Sequence, residues 1–150
     1  MLGDGRTTSR LIKILRTHPN SEDRKFAAYA LGLFDSARAT DALREALARK
    51  SEVAEVRAMA AEQLVYRSAA VQDLINGLRD PNREVRFWCA YALGEGRVKR
   101  ALPRLRRLTA DRARVAGWWS VGREAKWAIA TIEAGWNRSA AYPAGPVKGR

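Results

Sequence analysis

The sequence predicts an all-α fold, a solenoid in which pairs of helices stack side by side into a right-handed superhelix. One observation is a constant period, which is typical of stacked repeat units. Aliphatic residues recur every 31 positions, at Ile12, Leu43, Leu74 and Leu105. The other is that apolar residues lie three and four positions apart in segments rich in alanine, leucine, arginine and glutamate, as in amphipathic helices.

Each repeat unit is expected to contain two kinds of helix. In the first kind, the run from Phe26 to Gly32 aligns with the run from Trp88 to Gly94, and small residues allow neighbouring helices to approach closely. In the second kind, Leu102, Leu105 and Leu108 form the apolar stripe. The expected elements are a single helix near 8–17, pairs at about 21–49, 52–79 and 82–110, and a last helix at about 122–134. The expected solenoid therefore has three full units, with a half unit at each end as a cap.

Turn-forming residues occur at the positions where the helices of this pattern are expected to end. Gly32 and Gly94 close helices of the first kind, and the Asp80-Pro81-Asn82 turn separates two units because proline cannot continue the preceding helix. We expect one solenoid domain over residues 1–134. Residues 135–150, which include two prolines and three glycines, are predicted to form a mostly disordered basic tail.

The composition excludes several classes of function. The 150 residues carry 28 basic and 16 acidic side chains, a net charge of +12, with one cysteine and one histidine. This leaves no internal disulfide and no zinc cage. The chain shows neither a signal peptide nor a long apolar run. We therefore expect a soluble, cytoplasmic protein without a metal, a cofactor or a membrane contact.

One stretch carries a family resemblance. The run from Asp80 to Gly94, followed by Arg100-Ala-Leu-Pro-Arg-Leu105, resembles the short bacterial HEAT repeat of the phycobilisome-lyase type. The resemblance covers about residues 20–134 and implies an α-solenoid of a bacterial protein, whose second helices line the concave face. Such families include lyases, a metal hydroxylase, base-excision glycosylases and plain scaffolds, so the fold alone decides no function.

The enzymatic members can be compared with the residues present. The metal centre of the hydroxylase uses several His-Glu dipeptides, whereas the single histidine here, His18, precedes a proline. The alkylpurine glycosylases hold DNA in a basic groove with tryptophan, arginine and an acidic residue. Asp111 matches that acidic role by resemblance, but it also fits the inter-unit turn position of Asp80, and the chain has few units for such an enzyme. No catalytic residue is predicted.

The repeat is broken once, after the third unit. The step from Leu74 to Leu93 is 19 residues and that from Leu105 to Ile132 is 27, so eight residues are inserted around 112–122. Residues 97–126 hold 10 basic and 2 acidic side chains, against 15 and 13 in residues 1–96. Because insertions in repeat proteins form loops on a binding face, this region is the candidate site.

Arginine beside tryptophan suits an anionic partner, because guanidinium groups match phosphate or carboxylate oxygens and indole rings stack on bases. The candidate binding residues are Arg100, Arg104, Arg107, Arg112, Arg114, Trp118, Trp119 and Arg123. Two alternatives remain open at this point. The charge can be a solvated face or a consequence of codon usage, and the tryptophans can plug the end of the core, with one buried and the other partly exposed.

Other conspicuous residues are interpreted as structural. Trp88 and Trp127 align with Phe26 and Met59 in a predicted core stripe, and Cys89 occupies a small buried position.

Three arginines near the starts of the first helices are expected to form a ladder of ion pairs and turn-capping hydrogen bonds between units. They are Arg24, Arg57 and Arg86, with Asp23, Glu55 and Asp80 close by in sequence.

These patterns predict a non-catalytic adaptor. Its basic concave face would bind an acidic partner, a protein in the first instance. The alternative is a nucleic-acid-binding protein related to the alkylpurine DNA glycosylases.

Overall fold

The computed structural model describes residues 5–134, and this part of the chain is built from eight α-helices. They are α1 (Gly5–Thr17), α2 (Ser21–Leu31), α3 (Ala37–Ala48), α4 (Ala54–Gln63), α5 (Val71–Gly77), α6 (Arg83–Glu95), α7 (Leu102–Leu108) and α8 (Val121–Ala134). Short 3₁₀ turns, Ser68–Ala70 and Lys99–Ala101, lead into α5 and α7. The predicted all-α solenoid is confirmed. The tail predicted at 135–150 lies outside the described residues.

The period of 31 places equivalent side chains in the same environment. Ile12, Leu43, Leu74 and Leu105 are all buried in one continuous apolar core. Burying each of these side chains stabilises the fold by about 1.5–3 kcal/mol. The repeat register predicted from the sequence is therefore the register of the structure.

The helices form two layers. Helices α2, α4, α6 and α8 form one layer, and each packs extensively on the next, whereas α1, α3, α5 and α7 form a second layer whose members contact one another much less. Small residues allow the close packing: a Cβ atom on Gly94 would lie 2.7 Å from Cα of Ala128.

Unequal packing of the two layers gives the stack its direction of bending. A stack of helix pairs bends toward the layer whose members lie closer together. We therefore call α2, α4, α6 and α8 the inner layer and α1, α3, α5 and α7 the outer layer. The prediction that the second helices, α3, α5 and α7, line the concave face does not agree with this packing.

Polar side chains link neighbouring helices of the outer layer. The Arg44 guanidinium donates to the Asp73 carboxylate at 2.8 Å, joining α3 to α5, and Arg16 reaches Glu45 at 2.8 Å, joining α1 to α3. Both pairs are partly exposed, so each contributes at most about 1 kcal/mol.

A ladder of arginines ties each inter-unit turn to the next. Arg24 bonds Glu52, Arg57 bonds Asp80 and Arg86 bonds Asp111, each through guanidinium donors. Arg24 and Arg86 also donate to backbone carbonyls of the preceding turn. The predicted ladder is confirmed, but its carboxylates come from the following turn, so Asp23 and Glu55 take no part in it.

Side chains at the turns cap the helices that follow. Asn20 Oδ1 accepts from the backbone N–H groups of Glu22 and Asp23, and Asn82 Oδ1 accepts from Glu84 and Val85 in the same way. Each cap satisfies helix donors that would otherwise lack partners, which is worth about 1 kcal/mol. None of the helices between residues 5 and 134 is long and apolar enough to cross a membrane.

Candidate functional site

The arginines of α7 lie on the outer layer. Arg100, Arg104 and Arg107 are spaced four and three residues apart, so they form one stripe along the helix. Arg100, in the 3₁₀ turn Lys99–Ala101 that precedes α7, donates to Oε1 of Gln72 on α5 at 2.9 Å, so the N-terminal end of this stripe lies beside α5. These arginines were predicted to lie on the concave face, but Arg104 and Arg107 belong to the outer layer and Arg100 borders α5.

Two arginines of this stripe have no counter-charge. Arg104 is half-buried and Arg107 exposed, and neither makes an ion pair or a side-chain hydrogen bond within residues 5–134. Arg106, on the opposite flank of α7, is neutralised by Glu133 of α8 at 2.5 Å. The stripe is thus cationic surface, whereas Arg106 is part of the packing between α7 and α8.

The inserted segment folds as a tight loop against the start of α8. Val115 and Trp118 close a turn through a hydrogen bond of 2.9 Å between the Trp118 N–H and the Val115 carbonyl. Gly117 has φ of 78°, a left-handed conformation that favours glycine. An isolated antiparallel bridge between Arg114 and Ser120 fixes the base of the loop.

Arg112 and Arg114 add two further cationic side chains in the loop that follows α7. Both side chains are exposed on the loop that links α7 to α8, and neither pairs with a carboxylate in the described part of the chain. We define the arginine surface as Arg100, Arg104, Arg107, Arg112 and Arg114. The remaining predicted arginine, Arg123, lies apart from it on α8, where its Cζ sits 5.0 Å from the ring centroid of Trp119.

Trp119 is core rather than contact surface. Its side chain is 3% exposed and its indole N–H donates to Oε2 of Glu124 at 2.7 Å. Trp119 is therefore not available to stack on a base, contrary to its place among the predicted binding residues. Sequence reasoning missed the fully buried Glu124, because only the folded loop shows that an indole five residues earlier satisfies this carboxylate.

Trp118 is half-buried and lies over the inner layer. Its ring packs edge-on against Trp88 of α6, with centroids 5.5 Å apart, and tilts against Phe87 at 5.8 Å. The expectation that one tryptophan of the pair is buried and the other partly exposed is confirmed. The loop thus covers part of α6 with aromatic packing.

Asp111, the residue matched to an acidic catalytic role, is structural. Its Oδ2 accepts from Nε of Arg86 at 2.8 Å, and its Oδ1 accepts from the Ala113 N–H at 2.9 Å. These contacts give it the inter-unit turn position of Asp80. No group of three or more histidine, cysteine or carboxylate side chains between residues 5 and 134 is arranged to hold a metal ion.

The predicted core stripe on the first helices is only partly buried. Phe26 is 66% exposed, so its assignment to the core is wrong. The equivalent Trp88 is buried, as predicted, because Trp118 covers it, while Trp127 is half-buried. Phe26 and Trp88 occupy equivalent positions on their helices. Trp118 of the inserted loop covers Trp88 but does not reach Phe26, so the Phe26 ring stays in solvent.

Comparison with known proteins agrees with this architecture. The family of HEAT repeats matches residues 8–66 and 54–122, more than half of the chain. The chain belongs to the HEAT-repeat family. Among solved structures, it is similar to a chain of the complex of CpcE and CpcF of phycocyanin lyase from Nostoc sp. PCC7120, with 28% identity and a TM-score of 0.70.

This HEAT-repeat chain spans about half the length of that relative. The similarity covers 88% of the present chain and 55% of the chain from Nostoc. The phycobilisome-lyase-type resemblance seen in the sequence is thereby confirmed at the level of fold and family. No curated protein matches the chain.

Proposed function

We propose that this HEAT-repeat protein is a non-catalytic scaffold that holds an acidic segment of a partner protein on the arginine surface. The supporting observation is the contrast in pairing between arginines. Arg24, Arg57 and Arg86 are neutralised by the ladder carboxylates, whereas Arg104 and Arg107 have no counter-charge of their own.

An unneutralised arginine cluster has a definite partner chemistry. Carboxylates accept paired hydrogen bonds from guanidinium groups, and these charge-assisted bonds are roughly twice as strong as neutral ones. A series of glutamates or aspartates on a partner segment would satisfy Arg104, Arg107, Arg112 and Arg114 together. The opposite charges of the arginine surface and an acidic segment also speed their association at low salt.

A protein partner is favoured over nucleic acid by the state of the tryptophans. Base stacking needs an exposed indole face, and Trp119 is buried while Trp118 is packed against Trp88. The glycosylase hypothesis also lacks a free acidic residue, because the Asp111 carboxylate accepts a hydrogen bond from Arg86. The Nostoc relative is described in a complex of two proteins, which is consistent with a protein partner here.

Binding of a labelled peptide of twelve glutamates, followed by fluorescence anisotropy at about 0.1 M salt, tests the proposal. The double variant Arg104→Glu with Arg107→Glu should weaken binding at least about tenfold, a loss of 1.4 kcal/mol or more. The control is Arg6→Glu with Arg10→Glu, which makes the same charge change on exposed positions of α1. This control should change the affinity less than about threefold.

The same assay distinguishes the alternative. Duplex DNA that binds more tightly than the acidic peptide, with affinity falling steeply as salt rises, would show that the nucleic-acid function is correct. An equal loss in both double variants would show that net charge, rather than the arginine surface, is responsible. Circular dichroism should show unchanged helicity in all variants, because the substituted side chains are at least partly exposed.

A further inference from the structure

The inner layer carries a second surface that the arginine surface does not include. Four positions, spaced four, three and four residues apart, recur in each inner helix and the residues that follow it; in the first two units the last of these positions, Leu33 and Tyr66, lies beyond the end of the helix. We call these sixteen positions the inner face. They are Glu22, Phe26, Tyr29 and Leu33; Glu55, Met59, Glu62 and Tyr66; Glu84, Trp88, Tyr91 and Glu95; and Arg123, Trp127, Ala130 and Ala134.

The inner face collects exposed apolar side chains. Within residues 5–134, five large hydrophobic side chains are exposed, and four of them lie here: Phe26, Tyr29, Leu33 and Tyr66. Phe26 is 66% and Tyr66 74% exposed. Exposed apolar residues that occur singly need no explanation, but a contiguous group of them marks an interaction surface.

The charge of the inner face is opposite to that of the whole chain. Five of its sixteen positions are glutamates and one is an arginine, although the chain carries +12 overall. Glu22, Glu55 and Glu84 occupy equivalent positions in the first turns of α2, α4 and α6. Arg123, at the same position of α8, lies over the Trp119 ring.

The open part of the inner face is its N-terminal half. Trp118 covers Trp88 on α6, whereas the side chains of α2 remain exposed at Glu22, Phe26 and Tyr29. Glu55 is exposed, and none of its side-chain atoms makes an ion pair or a hydrogen bond with the rest of residues 5–134. Glu22 pairs only with its helix neighbour Lys25 at 3.0 Å, an exposed pair that a partner cation can replace at little cost.

We propose that the inner face over α2 and α4 binds a cationic amphipathic segment of a partner protein. Its aliphatic side chains pack on Phe26, Tyr29 and Leu33, and its lysines or arginines pair with Glu22 and Glu55. Cations can in addition lie over the rings of Phe26 and Tyr29. An acidic segment or a phosphate backbone is repelled by these glutamates, so the partner segment differs in sign from the one proposed for the arginine surface.

An eighteen-residue fluorescent peptide of leucine and lysine, arranged as an amphipathic helix, is the probe. Because the protein carries +12, general electrostatics disfavour this cationic peptide, and binding at 0.1 M salt requires a local acidic surface. The double variant Glu22→Lys with Glu55→Lys should weaken binding at least about tenfold. The matched control, Asp35→Lys with Asp41→Lys, changes two exposed carboxylates off the inner face and should change the affinity less than about threefold.

A second pair of variants tests the apolar part. Phe26→Ser with Tyr29→Ser should weaken binding of the leucine–lysine peptide at least about tenfold, while Val53→Ser, which alters an exposed apolar residue off this face, should have little effect. The Arg104→Glu and Arg107→Glu variant should retain full affinity for this peptide. These variants therefore test the proposal for the inner face independently of the proposal for the arginine surface.

Three results would overturn the proposal. The first is no detectable binding of the cationic peptide to the wild-type protein at 0.1 M salt. The second is an equal loss of affinity in the Glu22/Glu55 and Asp35/Asp41 variants. The third is a wild-type dimer in light scattering that the Phe26→Ser and Tyr29→Ser substitutions dissociate, since the inner face would then be covered by a second copy of the chain.

Discussion

Replacing Asp80 with asparagine should strongly destabilise the fold, because Asp80 is the most heavily bonded carboxylate of the ladder. Its Oδ1 accepts from Arg57 Nη1 at 3.1 Å and from the Asn82 N–H at 2.9 Å, and its Oδ2 accepts from Arg57 Nη2 at 2.5 Å and from Lys50 Nζ at 2.9 Å. The side chains of Asp80 and Arg57 are only 2% and 7% exposed.

The magnitude follows from what the substitution leaves behind. Burial opposes ionisation of Asp80, but the hydrogen bonds from Arg57, the Asn82 N–H and Lys50 outweigh it and lower its pKa from 3.8 to about 2. That shift alone corresponds to about 2–3 kcal/mol. Asparagine keeps one acceptor oxygen but places an amide donor where the other carboxylate oxygen stood. The buried Arg57 guanidinium therefore loses one of its two bonds to this residue and its counter-charge, although it keeps the bond to the Leu47 carbonyl. We expect a loss of about 3–5 kcal/mol.

Urea unfolding followed by circular dichroism at pH 7 measures this loss. With an m value of about 2 kcal/mol/M, a loss of 3 kcal/mol lowers the midpoint by about 1.5 M. Glu133→Gln is the matched control, because it breaks the exposed pair with Arg106 and should cost no more than about 1 kcal/mol. If Asp80→Asn costs no more than Glu133→Gln, the ladder does not hold the units together as argued here.

Three further outcomes are expected. Because the pKa of folded Asp80 is below that of the unfolded chain, its contribution is complete above about pH 4 and is lost as the pH falls toward 2, so acid unfolding curves of the wild type should be steeper than those of Asp80→Asn. Leu105→Ala should lower the unfolding free energy by about 2–5 kcal/mol, and an unchanged melting temperature would contradict the repeat register. Gly94→Ala should lower the melting temperature, because its Cβ would lie 2.7 Å from Cα of Ala128, and a variant as stable as the wild type would show that α6 and α8 are not so close.

The repeat register could be predicted from the sequence because it depends on a strict period. Leu43, Leu74 and Leu105 are each 31 residues apart, and a stack of similar units places them in equivalent positions. Cys89 is likewise buried, as its alignment with alanines predicts, and burial raises the pKa of its thiol.

The direction of the bend could not be read from the period. A repeat shows that two kinds of helix alternate, but the concave side depends on which kind packs more closely. The relevant signal was present in the small residues of the first helices, such as Ala28 and Gly94. These residues bring the inner helices together and place the arginine stripe of α7 on the other layer.

The inserted loop accounts for the other differences between the sequence predictions and the structure. Alignment makes Phe26 and Trp88 equivalent, yet one is exposed and the other is buried under Trp118. The bond between Trp119 and Glu124 also depends on how the loop folds back on α8. Such contacts lie outside the repeat, so no internal comparison within the sequence predicts them.

We expect this small solenoid to present two surfaces of opposite charge, one on each layer. Nuclear magnetic resonance of the ¹⁵N-labelled protein, titrated separately with the glutamate peptide and the leucine–lysine peptide, can locate both surfaces. The glutamate peptide should shift signals of residues 100–114, and the leucine–lysine peptide should shift those of residues 22–33 and 55–66. Shifts of the same residues by both peptides would show that the two surfaces are not distinct.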